Sequence, residues 1–228
     1  MRLVHSDYGI EMEIKENKVN VLILESPVLF ANAVREFKEQ CSNDNGCFIL
    51  SDKEKIMKLD KVAEIILSPF TLECNSRKVI QHLYQEICDY ANDNLQEETG
   101  RFYSQLALYM EKLIDGMPYS LSYSMEENIT GILKLGNVKI EEAELSLLEK
   151  LVNYIQLMSR LCAAKILIFV NLKCYLSEEE LSLLYEIAFY NKIQLVLLEN
   201  TQRASTQKFL SDNENTCIMD RDMCIIQL

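Results

Sequence analysis

The sequence contains little histidine and no cysteine pair at metal-binding spacing. Only His5 and His82 are present among 228 residues, and none of the eight cysteines stands in a C-x-x-C arrangement. A structural zinc site or a histidine-centred active site therefore has few residues to draw on. We expect the cysteines to be reduced thiols that behave as small apolar side chains.

Long apolar runs are missing as well. No run approaches eighteen residues, and no N-terminal segment combines a basic start, an apolar stretch and a small-residue cleavage site. We therefore expect a cytoplasmic protein with no membrane segment. With 228 residues, of which 49% are hydrophobic, the chain is long enough for one large domain or two small ones.

The sequence also has no glycine-rich phosphate-binding loop. None of its six glycines is followed by Lys-Ser or Lys-Thr, and no G-x-G-x-x-G occurs. In P-loop nucleotidases, the amides and lysine of such a loop cradle the phosphates. Glu199, at the tip of an apolar run, is typical of their second motif, whose carboxylate holds Mg²⁺ or polarises water. We expect nucleotide chemistry to be lost, and a divergent nucleotide hydrolase that uses Glu199 stays open as an alternative.

Basic side chains are outnumbered, with 23 against 35 acidic ones, so the formal net charge is −12. This is the wrong sign for a nucleic-acid-binding protein, because affinity for the phosphate backbone comes mainly from lysines and arginines that release counterions. Three explanations stay open: the chain binds no nucleic acid, its basic groups are segregated on one face, or bound cations compensate. An acidic protein-binding adaptor is a further alternative.

The clearest pattern that is present is a strand, a helix and a second strand. Ile166–Val170 and residues 193–198, the latter apolar except for Gln194, are runs rich in branched side chains, which is typical of parallel strands buried on both faces. Between them, Ser177 can cap a helix and Glu180 can complete a capping box. A helix that crosses between two buried strands makes a βαβ unit, so the sequence predicts an α/β core.

Further elements are predicted on either side of this unit. A run that is apolar except for Asn20 predicts a buried strand over residues 19–24, and Ser26 with Pro27 is a favourable start for the helix that follows. Residues 217–219 and 223–226 are predicted to form a hairpin.

Two consecutive amphipathic patterns, over residues 79–91 and 102–113, predict long helices with no strand between them. This does not fit a simple alternation of strands and helices, so we interpret the helices as an inserted leg. A strand fragment is predicted at residues 138–140. The predicted domains are an α/β head formed by residues 1–72 and 138–228, and a helical leg formed by residues 73–137.

Lysines are densest at Lys53, Lys55, Lys58 and Lys61. A run of charge is usually a solvated loop, and that structural explanation stays open here. The functional explanation is that these four lysines face phosphate groups.

Acidic side chains cluster at Glu126 and Glu127, and again at Glu141, which is close to Glu142 and Glu144. The helix macrodipole favours carboxylates in the first turn of a helix, which is the structural explanation. All-oxygen donors of this kind would suit calcium, with asparagine and backbone carbonyls completing the shell. No EF-hand loop spacing is present.

The strand-helix-strand block resembles the C-terminal half of a CRISPR-associated family, the ring-forming adaptation subunit of type II-A systems. The resemblance lies in Phe-Val-Asn at residues 169–171, Tyr-Leu-Ser-Glu at residues 175–178 and Leu-Glu at residues 198–199. Residues 136–141 and the first strand also look similar, so the likeness covers most of the chain.

This resemblance implies an α/β head that is P-loop-ATPase-like but lacks the phosphate loop, with an inserted α-helical leg domain. It further implies a homotetrameric ring that has no catalytic activity, holds double-stranded DNA ends in a basic central hole and is stabilised by calcium. Such a ring acts in spacer acquisition, a step of antiviral defense, beside other CRISPR adaptation proteins and the RNA-guided nuclease. A ring would explain the charge, because lysines can line its inner face while the outer face stays acidic.

Two sets of site residues follow as hypotheses from the residue pattern, and neither is carried over from a family motif. The four lysines named above are predicted to contact DNA phosphates. Glu126, Glu127 and Glu141 are predicted to bind calcium.

Overall fold

The chain folds into two compact units. Residues 1–53, 55–141, 144–162, 164–203 and 206–228 are described by the structure, which is a computed structural model. The larger unit comprises Met1–Cys74 together with Ala143–Leu228, and the smaller unit is Asn75–Glu142.

The described strands of the larger unit form two sheets. The first is an antiparallel sheet of four strands in the order β2-β1-β4-β5. The second has six strands in the order β10-β9-β3-β8-β7-β6. In chain order the strands are β1 (Arg2–His5), β2 (Ile10–Glu13), β3 (Val19–Leu24), β4 (Phe48–Asp52), β5 (Lys55–Met57), β6 (Ala63–Ile66), β7 (Ile166–Val170), β8 (Gln194–Glu199), β9 (Glu214–Met219) and β10 (Ile225–Gln227).

The described helices divide between the two units. In chain order they are α1 (Pro27–Asn43), α2 (Leu59–Val62), α3 (Arg77–Asn94), α4 (Gln96–Asp115), α5 (Ile129–Leu135), α6 (Leu147–Arg160), α7 (Glu178–Tyr190) and α8 (Lys208–Asn213). Helices α3, α4 and α5 belong to the smaller unit, and the other helices belong to the larger one. None of the described helices has the length and apolar character needed to cross a membrane.

The predicted βαβ unit is confirmed. Strands β7 and β8 pair in parallel, with Ile166 opposite Gln194, and α7 connects them. At the start of α7, the Ser177 hydroxyl accepts from the Glu180 amide at 3.2 Å, and the Glu180 carboxylate accepts from the Ser177 amide at 2.8 Å. This is the predicted capping box, and it satisfies two amides that the helix itself leaves without partners.

The central strands of the six-stranded sheet are buried on both faces. All six residues of β3 and all five of β7 are buried, as their mainly apolar sequences predict. On one face, Leu22 and Leu24 join a core that includes Ala33 and Phe37 of α1. Helices α6 and α7 contribute further buried side chains, including Tyr185, to the core of the larger unit. The α/β fold class is therefore confirmed.

Two details differ from the sequence prediction. Residues 138–140 form no strand, because their backbone is fastened by side chains instead: Asn75 donates to the Ile140 carbonyl at 3.0 Å and accepts from the Ile140 amide at 2.8 Å. The predicted hairpin of β9 and β10 is present, but β9 begins earlier, at Glu214, and also pairs in parallel with β3. It is thus an internal strand of the sheet, which the short apolar run at residues 217–219 did not indicate.

Candidate functional site

The connection from β3 to α1 is where a phosphate-binding loop would follow the first parallel strand. Only Glu25 and Ser26 separate the two elements, and α1 begins at Pro27. A phosphate cradle needs several consecutive amide N–H groups, and proline has none. The carboxylate of Glu25 would also repel a phosphate. The structure thus agrees with the absence of the glycine-rich motif from the sequence.

Glu199, the acid at the end of β8, lies inside the protein. It is 0% exposed, and its Oε1 accepts from the Lys173 amide at 3.1 Å. Its Oε2 is buried and has no hydrogen-bond partner among the described residues. Burial raises the pKa of the Glu199 carboxyl, against the lowering effects of the Lys173 amide and of the positive charges of Lys173 and Arg203. A carboxyl enclosed in this way has no open side for Mg²⁺ or for an attacking water.

Lys173 and Glu214 form a second buried polar group close to Glu199. The Lys173 Nζ lies 2.7 Å from Glu214 Oε2, and the two side chains are only 8% and 12% exposed. The Tyr185 hydroxyl donates to Glu214 Oε1 at 2.8 Å. Burial first, and the Glu214 charge second, raise the pKa of Tyr185. Sequence reasoning identified Glu199 but missed this pair, because no local motif marks either residue.

Two cavities open beside this group, with volumes of about 270 and 320 Å³. Lys173, Arg203 and Glu214 line both of them. Arg203 also donates to the Cys174 sulfur at 3.1 Å, so part of its hydrogen-bonding capacity is used within the chain. The cavity walls mix both signs of charge, and this mixture does not select a strongly anionic ligand such as a nucleoside triphosphate.

The four predicted phosphate-binding lysines are all exposed and lie close together in the chain. Lys53 has a φ of 55° in the turn between β4 and β5, and Lys55 is the first residue of β5. Lys58 is the N-cap of α2, and Lys61 lies within that helix. They therefore occupy two adjacent short elements rather than one regular face.

Two of these four lysines are already paired within the chain. The Lys58 Nζ lies 2.9 Å from Asp44 Oδ2, and the Lys61 Nζ lies 3.1 Å from Asp60 Oδ2. The hydrogen bond to Asp44 raises the pKa of Lys58. Pairing reduces the positive charge that either lysine would present to a phosphate group.

The three predicted calcium ligands are exposed in the smaller unit. Glu126 and Glu127 precede α5 in a stretch without regular structure, and Glu141 follows the segment fastened by Asn75. Glu142 lies outside the described residues. Across the described residues, these three glutamates do not come together as a group of at least three metal donors. As found in one chain, they do not fit a preformed calcium site and would need other oxygen donors.

Among the described residues, His5, Glu36 and Cys47 do come together, and their donor atoms lie within 4.8 Å of one another. The His5 Nδ1 accepts from the Tyr8 amide at 3.3 Å, so the ring proton lies on Nε2, which donates to Glu36 at 3.1 Å. A metal on Nε2 would need a proton on Nδ1 and an acceptor facing it. The Tyr8 amide is a donor, so this group ties β1 to α1 and does not fit a metal.

Comparison with known proteins adds to this geometry. A family model described as CRISPR-associated protein (Cas_Csn2) matches residues 40–223. A protein of Streptococcus agalactiae named CRISPR-associated protein Csn2 is 22% identical over 214 residues, which cover 86% of this chain and 95% of that protein.

Proposed function

This chain belongs to the Csn2 family of CRISPR-associated proteins, and we propose that it is a non-enzymatic ring that binds double-stranded DNA ends during spacer acquisition. Family membership, which confirms the resemblance found in the sequence, is the observation that carries the proposal. It implies a role in antiviral defense in the cytoplasm, beside other CRISPR adaptation proteins and the RNA-guided nuclease.

The geometry at the end of the parallel strands favours binding over hydrolysis. A two-residue turn replaces the phosphate loop, and Glu199 is enclosed, so neither half of a nucleotidase site is available. The larger unit corresponds in this proposal to a P-loop-ATPase-like head, and Asn75–Glu142 corresponds to the inserted leg. A turnover assay with ATP and GTP tests the alternative: hydrolysis that Glu199→Gln abolishes would favour a divergent hydrolase.

The smaller unit supports assembly with further copies of the chain. Phe102, Tyr109 and Leu113 of α4 follow the spacing i, i+7, i+11 and therefore share one helix face. They are 44%, 59% and 44% exposed. An apolar stripe of this kind marks a protein interface, and a second copy of the chain is the partner that a homotetramer requires.

Calcium is proposed to stabilise this assembly. Because the three predicted glutamates are not grouped among the described residues of one chain, backbone oxygens or carboxylates of a second copy would complete the coordination. Sedimentation across a calcium titration should show a tetramer that strengthens as calcium rises. A monomer that binds no DNA at any calcium concentration would instead favour the acidic adaptor.

The decisive test of DNA-end binding compares linear duplex with closed circular duplex of the same sequence. Fluorescence anisotropy or mobility shift, over a range of salt and calcium, should show binding to the linear form only. Equal binding to both forms would refute recognition of ends, and no binding to either would refute DNA binding.

A further inference from the structure

Four lysines from distant parts of the sequence come to one edge of the six-stranded sheet. In a parallel sheet, the amino-terminal ends of all strands lie at the same edge. Lys18 directly precedes β3 and Lys165 directly precedes β7, while Lys192 and Lys61 stand two residues before β8 and β6. The sheet order β3-β8-β7-β6 makes these four strands consecutive neighbours.

The strand register places Lys18, Lys165 and Lys192 within two residues of one another along the strands, and Lys61 lies in α2, just before β6. Ala63 is opposite Ile166, which is opposite Gln194. Asn20 is opposite Val196, so Lys18 falls beside Gln194. Since neighbouring strands lie about 4.8 Å apart, the row spans about 14 Å. Duplex DNA carries a phosphate every 3.4 Å or so along each strand, so the row faces about four base pairs.

The centre of the row is open to solvent. Lys165 and Lys192 are exposed and line a depression of about 530 Å³, whose wall also includes the acidic residues Glu16 and Asp52. Within the described ranges, neither lysine forms a salt bridge. The flanking lysines are engaged: Lys18 donates to the Asp212 carbonyl, and Lys61 pairs with Asp60.

We propose that this amino-terminal sheet edge, with Lys165 and Lys192 at its centre, is the surface through which the chain contacts the phosphate backbone of duplex DNA. The inference rests on the proposed DNA binding and names the contact surface for it. Lysines on four consecutive strands or just before them can meet successive phosphates of a duplex, and the four lysines outnumber the two acidic side chains of the depression, Glu16 and Asp52, in a chain whose formal charge is −12. Backbone contacts of this kind carry little sequence preference.

The test measures how DNA affinity depends on salt in three proteins. These are the wild type, the edge variant Lys165→Gln/Lys192→Gln, and the control variant Lys38→Gln/Lys150→Gln, which removes the same charge from exposed positions of α1 and α6. The affinity for one linear duplex is measured by fluorescence anisotropy at several NaCl concentrations. We expect the slope of log K against log salt to become shallower by about 1.8 for the edge variant, or about 0.9 for each lysine lost, and to change less for the control.

The outcomes separate this inference from the function on which it rests. If the wild type binds and the edge variant keeps its slope, the sheet edge is not the contact surface, although DNA binding stands. An equal change of the slope in both variants would report only the total charge removed, and it would also refute the sheet edge as the contact surface. No binding by the wild type refutes DNA binding itself. The urea midpoint of unfolding should be unchanged in both variants, because all four substituted lysines are exposed, and this result would show that folding is intact.

Discussion

Removing the positive charge of Lys173 should strongly destabilise the larger unit. The substitution Lys173→Met keeps the length of the side chain but leaves Glu214 without its cationic partner, and Glu214 is only 12% exposed. Breaking a buried ion pair by removing one member costs about 3–5 kcal/mol, because the remaining charge is uncompensated in a medium of low dielectric. Proteins of ordinary stability have about 5–15 kcal/mol in total, so this loss is large.

An exposed pair in the same chain gives a matched control. Arg101 and Glu97 are one helical turn apart in α4, 3.0 Å from each other, with side chains 75% and 82% exposed. Arg101→Met should cost no more than about 0.5 kcal/mol, because water and salt screen such pairs. Both variants replace a basic residue of an ion pair by methionine, and they differ in the burial of the pair.

Equilibrium unfolding in urea, followed by circular dichroism, measures both variants. The double variant Lys173→Met/Glu214→Gln should recover part of the stability lost by Lys173→Met, because it removes the uncompensated carboxylate. A loss below about 1 kcal/mol for Lys173→Met, or a double variant no more stable than the single one, would refute this account of the pair.

Two further predictions concern Glu199 and Ser177. Burial raises the pKa of Glu199 in the folded chain, so its stabilising contribution is full below the unfolded value of about 4.3 and is lost as pH rises through the folded pKa. The variant Glu199→Gln should not lose stability over that pH range. If the urea midpoints of the wild type and of Glu199→Gln change in parallel with pH, the prediction is contradicted. Ser177→Ala should cost about 1 kcal/mol by removing the cap of α7. Ser104→Ala, the same change inside α4, should be neutral or slightly stabilising, and similar urea midpoints for the two serine variants would count against the cap.

Local patterns predicted the elements of this fold better than the contacts between them. The unbroken apolar runs identified β7 and β8, and the serine and glutamate three residues apart identified the start of α7. The strand predicted at residues 138–140 was wrong because the hydrogen bonds of Asn75, 65 residues away in the chain, decide that backbone. Apolar pattern alone does not reveal such distant partners.

In the candidate sites too, local motifs were predictable from the sequence and contacts between distant residues were not. The missing phosphate loop was visible in the sequence because that motif is local. The enclosure of Glu199 depends on Lys173, and the pairing of Lys58 depends on Asp44, so both required the fold. The lysine row is a product of strand order: its members come from residues 18, 61, 165 and 192, and only the topology makes them neighbours. The roles predicted for the three glutamates and the four lysines stay predictions.

The short turn between β3 and α1 has an evolutionary consequence. A substitution can change the character of Glu25 or Ser26, but it cannot lengthen the backbone between strand and helix. Building a phosphate-binding loop there would require an in-frame insertion of several codons together with replacement of Pro27. Point mutation alone therefore cannot create such a loop at this connection. A laboratory attempt to install one would have to begin by grafting a longer loop.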